Sequence, residues 1–178
     1  MKAGLLPFLQ LARRLKEVPR RGWALKLGHP QPESVAEHSY MVALLAALMA
    51  MERGLDAGEA SLMGLLHDLH EAITGDKVPG EARAPGEELR AAERLFSLLP
   101  PGLRQRLQRL WLSYYREEGE LARLVGEADA LEMALQAQAY EEEGYGRGAL
   151  REFLESASSR LSSPRARRLL RQLTKKRG

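Results

Sequence analysis

The stretch His67-Asp68-Leu69-His70-Glu71 places two imidazoles and two carboxylates within five residues. A neutral imidazole beside a hard carboxylate oxygen suits a divalent cation. The chain has no cysteine, so a thiolate site is excluded and His, Asp and Glu are left to hold any metal. On a helix, Glu71 follows His67 by one turn and shares its face. Two further residues join the pentapeptide as candidates. His38 falls on an apolar helical stripe, where a lone histidine is more often a hydrogen-bonded core residue than a ligand. Asp129 lies mid-helix, where aspartate has poor propensity and is mostly solvated. Taken together, His38, His67, Asp68 and Asp129 offer two imidazoles and two carboxylates, a set suited to one divalent ion such as Mn2+, Co2+, Fe2+ or Zn2+. The HExxH zincin arrangement fails on spacing, because His67 and His70 are three apart and the glutamate follows both.

These residues need helices to bring them together. Ser34-Val35-Ala36-Glu37 reads as a capping box that opens a helix running to about Arg53. Its apolar stripe is Val35, Met41, Val42, Leu45, Leu48 and Met49, with His38 pointing inward in the first turn. Asp56-Ala57-Gly58-Glu59 opens the next helix, whose core face of Leu62, Leu65, Leu66 and Leu69 delivers His67 and Asp68 near its end; Thr74-Gly75 stops it. Asp76 then falls in a loop fit to line a site mouth. Upstream, residues 3–17 carry Leu5, Phe8, Leu9, Ala12 and Leu15 at helical spacing up to Pro19, and a loop holds Arg20, Arg21 and Trp23. Downstream helices are expected over 86–99, 102–117 and 120–143, and Ser163-Pro164 caps and starts a last one. No strand-like alternation and no repeat appears. The expected architecture is all-α, a single helical domain of about seven helices spanning 1–178, with Lys175 to Gly178 a frayed tail.

Composition is that of an ordinary globular chain: 178 residues, 44% hydrophobic and 29% charged, long enough to bury a core without covalent staples. The longest apolar run, Tyr40 to Met51, is too short to span a bilayer, and the N-terminal segment is broken by Pro7 and early basic residues, unlike a signal peptide. The expectation is a cytoplasmic protein without membrane contact. From Arg147 onward basic residues outnumber acidic ones ten to two. That asymmetry suits a nucleic-acid surface, but a solvated helical face with a basic tail is the simpler reading, and nucleic acid is not an expected partner.

The order His38, His67-Asp68, Asp129 on successive helices resembles the HD-domain phosphohydrolases. The likeness extends to Glu37-His38, His-Asp-x-x-Glu at 67–71, Gly75-Asp76 and Asp-Ala-Leu-Glu at 129–132. Val18-Pro19-Arg20-x-Gly-Trp23, Pro32-Glu33-Ser34-Val35-x-x-His38 and Gln138-Ala139-x-Glu141 are similar to the YfbR-like 5′-deoxynucleotidases, nearest the branch called HD domain-containing protein 2, over about residues 5–173. The resemblance implies an all-α, usually homodimeric hydrolase that removes phosphate from deoxyribonucleoside 5′-monophosphates with a divalent metal. It implies His38, His67, Asp68 and Asp129 as ligands, Glu71 as the catalytic carboxylate, and Asp76 as the residue that positions water or substrate. It also implies Arg20 as the phosphate-orienting arginine and Trp23 as the indole against the sugar, with His38 and Asp68 bordering the substrate. Departures leave two matters open. Arg21-Gly22 separates Arg20 from Trp23, so either arginine is a candidate for the phosphate. His70 stands where the family has a small or apolar residue, as an extra ligand or an exposed side chain. Lys77, after Asp76, adds a further candidate phosphate contact.

The residues support this chemistry without the family. A metal polarises a phosphoryl oxygen and lowers the pKa of water it holds from about 15.7 toward roughly 7. Glu71 can take a proton or give one to the leaving 5′-oxygen, and an arginine spreads a planar charged fork over the remaining oxygens. The chain has no Gly-rich phosphate loop, which favours monoester hydrolysis over triphosphate-driven work. Two alternatives remain: another HD-type hydrolase acting on cyclic, oligo- or polyphosphate nucleotides, and a non-catalytic nucleotide or nucleic-acid binder.

Overall fold

Helix α3, Val35–Arg53, is the beam on which the others rest. In the computed structural model, which describes residues 4–78, 80–82, 84–145 and 149–175, it is closed at both ends by its own sequence. Ser34 Oγ accepts the Glu37 amide at 3.2 Å while Glu37 Oε2 accepts the Ser34 amide at 2.6 Å, the reciprocal capping box expected. At the other end Gly54 takes φ 67°, a left-handed conformation that stops the helix. By length and composition α3 is apolar enough to cross a membrane, but here the helices Ala57–Leu66 and Gly119–Glu142 pack along it.

Among the described residues, the chain runs through α1 (Leu5–Ala12), a 3-10 turn (Arg13–Glu17), α2 (Arg21–Leu27), α3, α4 (Ala57–Leu66), α5 (Glu71–Thr74), α6 (Glu87–Phe96), α7 (Pro101–Tyr115), α8 (Gly119–Glu142), α9 (Ala149–Arg160) and α10 (Pro164–Lys175). The class is all-α, and no strand occurs among the described residues beyond one isolated antiparallel bridge between Pro19 and Ser34. Ten α-helices replace the seven expected, for three physical reasons. Arg21–Leu27 is a helix rather than a loop, with Trp23 and Leu27 one turn apart and Gly28 at φ 65° ending it. The helix through His67 is not continuous, because it stops at Leu66 and restarts at Glu71. Finally, α9 (Ala149–Arg160) is a helix that the sequence expectation does not include. The tail residues 176–178 lie outside the described residues; α10 itself runs to Lys175.

Small residues set how closely the central helices approach. Val42, Ala46 and Ala50 of α3 pack with Ala60 and Met63 of α4 and with Leu124, Ala128 and Leu131 of α8. At the α3–α4 crossing a Cβ on Gly64 would stand 2.7 Å from the Ala43 Cα, so only glycine fits without a backbone shift. A second core joins Val35, Leu66, Leu69, Leu95, Phe96 and Trp111, and a third joins Trp23, Ala137, Tyr140 and Phe153. The α3 stripe departs from expectation at Leu48, which is exposed, because the helix is covered on two sides but not on the third.

Candidate metal and phosphate site

His67 caps the end of α4, three residues past the tight Gly64 crossing. Its Nδ1 faces the Gly64 carbonyl at 2.7 Å, and its own carbonyl accepts the Trp111 indole N–H at 3.1 Å. A ring nitrogen against a carbonyl must carry a proton, so Nε2 is the nitrogen of His67 that is turned toward a ligand. His38, one turn into α3 and fully buried, repeats the arrangement: Nδ1 lies 2.5 Å from Glu132 Oε2, which leaves Nε2 free. Both Nε2 atoms are buried without a hydrogen-bond partner. Buried polar atoms are rarely left so.

The two nitrogens and a carboxylate oxygen of Asp129 all lie within 4.8 Å of one another. Asp129 Oδ1 is 3.3 Å from His38 Nε2, while Asp68 Oδ2 is 3.1 Å from His67 Nε2 and 3.8 Å from His38 Nε2. Asp129 is buried, not solvated as a mid-helix aspartate usually is, because its second oxygen meets Arg160 and the Tyr114 hydroxyl. Burial works against ionising Asp68, but His67, Arg20 and His38 outweigh it and hold its carboxyl well below the usual range. Burial likewise opposes the Asp129 charge, and His38 and Arg160 prevail. Two ionised carboxylates and two inward-facing Nε2 atoms, each able to give a lone pair once an incoming cation displaces its proton, are a donor set that fits one divalent ion. A cation would satisfy the atoms that nothing in the chain satisfies.

The break after Leu66 turns Glu71 to the edge of this cluster. Its amide donates to the Asp68 carbonyl at 2.9 Å, and its Oε2 is buried without a partner. Burial, together with the charges of Asp68 and Asp76, pushes Glu71 up to about 10. Asp76 is fixed from the other side: its Oδ2 accepts the Arg21 amide at 2.5 Å.

Residues 18–20 are stitched to the start of α3 by the Arg20 amide on the Glu33 carbonyl and the Val35 amide on the Val18 carbonyl, at 2.8 and 2.9 Å. That pairing carries the Arg20 side chain to Asp68 (3.2 Å) and Asp76 (3.7 Å). The Arg21 side chain turns away to the Asp76 carbonyl and Glu81. Of the two arginines, Arg20 is therefore the one at the cluster. Trp23 is placed differently from the expectation of an indole lying against a sugar. Only 2% exposed, it packs on Phe153 and Tyr140 and donates its N–H to Glu33 at 2.9 Å, which leaves no open indole face in this arrangement. Lys77 is joined to Glu87 of α6 at 2.7 Å. His70 sits edge-on to Trp111, with ring centroids 5.6 Å apart.

Three residues of this constellation carried no role in the sequence reading. Glu132 stands three residues after Asp129, one turn along the same face of α8, and that spacing is the signal that finds it. Tyr114 and Arg160 reach Asp129 from α7 and α9, and no local pattern marks them.

An HD-domain family model matches residues 12–168. The 5′-deoxynucleotidase HDDC2 of Mus musculus is 36% identical over 175 residues, covering 96% of this chain and 87% of the mouse protein. A conserved hypothetical protein from Pyrococcus furiosus superposes with a TM-score of 0.79 at 29% identity, covering 96% of this chain and 99% of that one. A structure described as a predicted metal-dependent phosphohydrolase from Magnetospirillum magnetotacticum superposes with a TM-score of 0.73 at 27% identity, over 96% and 89% of the two chains.

Proposed function

The chain belongs to the HD-domain family, and from that premise we propose that it is a metal-dependent 5′-deoxynucleotidase, converting deoxyribonucleoside 5′-monophosphates to deoxyribonucleoside and phosphate. The observation that carries this reading is the convergence of two buried, unpartnered Nε2 atoms, His38 and His67, with Asp68 and Asp129, beside the Arg20 guanidinium. The name carried by the mouse relative supports the substrate class.

In this reading His38, His67, Asp68 and Asp129 hold one divalent ion, taken from Mn2+, Co2+, Fe2+ and Zn2+. When bound, the ion supplies Lewis-acid polarisation of the phosphoryl group and acidifies water. Arg20 grips the phosphate oxygens with a permanently charged fork, already oriented by Asp68 and Asp76. Glu71, kept protonated near neutral pH by burial and by its two carboxylate neighbours, gives its proton to the departing 5′-oxygen as the P–O bond breaks. It regains one from the water that forms the new P–O bond, so each turnover consumes one water. Asp76, clamped by the Arg21 amide, orients that water or the phosphate.

The working unit of this proposal is a homodimer. Its interface is the exposed apolar stripe Tyr40, Leu44, Leu48 and Met51, which lies on one side of α3 at spacings of four, four and three.

The test is phosphate release by the purified protein with Mn2+ or Co2+ from a panel of deoxy- and ribonucleoside monophosphates, cyclic nucleotides and nucleoside polyphosphates. Release from the deoxy-monophosphates is expected. A panel in which no deoxyribonucleoside monophosphate yields phosphate would sink the proposal.

A further inference from the structure

Helix α8 touches His38 at both ring nitrogens. Asp129 Oδ1 stands 3.3 Å from Nε2, and Glu132 Oε2, one turn further on, stands 2.5 Å from Nδ1. These two edges are not equivalent. Two ligand atoms at about 2.0–2.2 Å from one tetrahedral ion are roughly 3.3–3.6 Å apart. The Nε2 edge matches that spacing, and His67 Nε2 to Asp68 comes close to it at 3.1 Å. The Nδ1 edge is far too short to admit an ion and is a hydrogen bond. The same distance disposes of a second grouping, Glu33, His38 and Glu132, as a place for a cation, although their donor atoms also lie within 4.8 Å of one another.

We propose that Glu132 is a positioning residue of the metal site: its carboxylate holds the His38 proton on Nδ1 and fixes the ring so that Nε2 faces the ion. The inference rests on the metal-site reading above. Glu132 is 2% exposed, so its carboxylate is shielded from solvent and its partner is set by packing. The two imidazoles are supported unequally. His67 is oriented by a neutral carbonyl, that of Gly64, whereas His38 is oriented by an acidic side chain. A carboxylate behind an imidazole raises its basicity toward a metal and adds favourable field, so both effects of Glu132 act in one direction. A single helix thus supplies one ligand and orients another.

The test compares metal affinity in the full-length protein with Glu132→Gln and Glu132→Ala, by competition for Mn2+ against a chromogenic chelator. The glutamine variant is expected to bind at least tenfold more weakly, and the alanine variant more weakly again. A Glu132→Gln protein that is folded by circular dichroism and keeps the wild-type dissociation constant overturns the assignment. Should either variant fail to fold, the wild type decides alone. Under Zn2+ titration of protein carrying 15N-labelled histidine, the His38 proton is expected to stay on Nδ1 while the Nε2 resonance moves. An Nδ1 resonance that moves to the position of an unprotonated or metal-bound nitrogen overturns the inference. A wild type that binds neither Mn2+ nor Zn2+ brings down the metal-site reading and this inference with it, whereas unchanged affinity in the variant brings down this inference alone.

Discussion

Arg20 and Asp68, 48 residues apart in sequence, meet with Nη1 3.2 Å from Oδ2, so the guanidinium rests on a carboxylate that also belongs to the proposed metal set. The next residue, Arg21, serves Asp76 through its backbone amide and spends its side chain on the Asp76 carbonyl and Glu81. The two arginines should therefore separate in kinetics. Arg20→Ala is expected to lower kcat/KM by about 10²–10³, the usual loss for one preorganised donor, with Mn2+ affinity kept. Arg20→Lys should recover little, because the fork is lost. Arg21→Ala keeps its amide and should stay within about fivefold of wild type. Equal losses in Arg20→Ala and Arg21→Ala would show that the assignment of Arg20 to the phosphate is mistaken.

Glu71 gives a pH signature in the metal-free protein. Its pKa rises from the ordinary 4.5 to about 10 on folding, chiefly through burial and then through the Asp68 and Asp76 charges. Between those values the folded protein holds a proton that the unfolded chain has released, so Glu71 erodes stability as pH rises from about 4.5 toward 10. Glu71→Gln removes the titration. In chelator-treated protein, the Tm of Glu71→Gln relative to wild type should climb steadily from pH 5 to pH 9. The variant should also bind metal yet lose turnover, whereas Asp68→Ala should lose both. A Tm difference that stays flat with pH would refute the protonated state assigned to Glu71.

Much of this site is legible in the chain itself. The four proposed ligands, Glu71 and Asp76 are marked by residue type, spacing and family likeness, and the structure brings them together; α3 and α4 are marked by their Ser34 and Asp56 caps, both of which form. What escaped was fixed by packing. The chain breaks at His67–His70, where a continuous helix was expected, because the Gly64 crossing and the Trp111 contact hold His67 at a helix end. A tryptophan near an arginine suits a binding surface, but Phe153 of α9 covers Trp23. Arg160 comes from that same helix, so Asp129 was recognised without its partner.

The exposed stripe on α3 predicts a self-association that one charge should undo. Tyr40, Leu44, Leu48 and Met51 leave a continuous apolar strip on the most central helix. Leu48→Glu introduces a charge in the middle of that strip, on a side chain that is half exposed and makes little of the core. Light scattering after gel filtration should give twice the 19.9 kDa chain mass for wild type and a monomer for Leu48→Glu. A monomeric wild type at tens of micromolar would exclude the proposed homodimer.

Gly64 links core packing to the metal site. An added Cβ would lie 2.7 Å from the Ala43 Cα and 2.9 Å from its amide nitrogen, both backbone atoms that cannot swing aside. Gly64→Ala must push α4 off α3, an overpacking expected to cost about 1–3 kcal/mol. Because the Gly64 carbonyl orients His67 Nδ1, the displacement should also weaken Mn2+ binding. Gly58→Ala, where the added Cβ meets only the Asp56 side chain at 3.3 Å, is the matched control and should leave affinity unchanged. Wild-type affinity in Gly64→Ala would mean that His67 does not depend on the crossing.

Glu127 holds the C-terminal helix from the middle of α8. One oxygen accepts the Ser162 and Ser163 amides at 2.9 and 2.5 Å and the Ser162 hydroxyl at 2.8 Å; the other accepts the Ser163 hydroxyl at 2.7 Å. Ser163 in turn caps α10 by accepting the Ala166 amide at 3.2 Å. Burial works against the Glu127 charge, but these four donors outweigh it and lower its pKa on folding. A lowered folded pKa stabilises the protein above the unfolded value of 4.5 and is lost as pH falls through the folded one. Glu127→Ala should therefore cost about 1–3 kcal/mol at pH 7, the penalty for stranding buried donors. Its deficit relative to wild type should shrink as pH falls below 4.5 through the lowered folded value, where Glu127 itself becomes protonated. Urea denaturation at pH 7 and over an acid series below pH 4.5 measures both, and a deficit that stays the same size throughout would rule out the charged clamp.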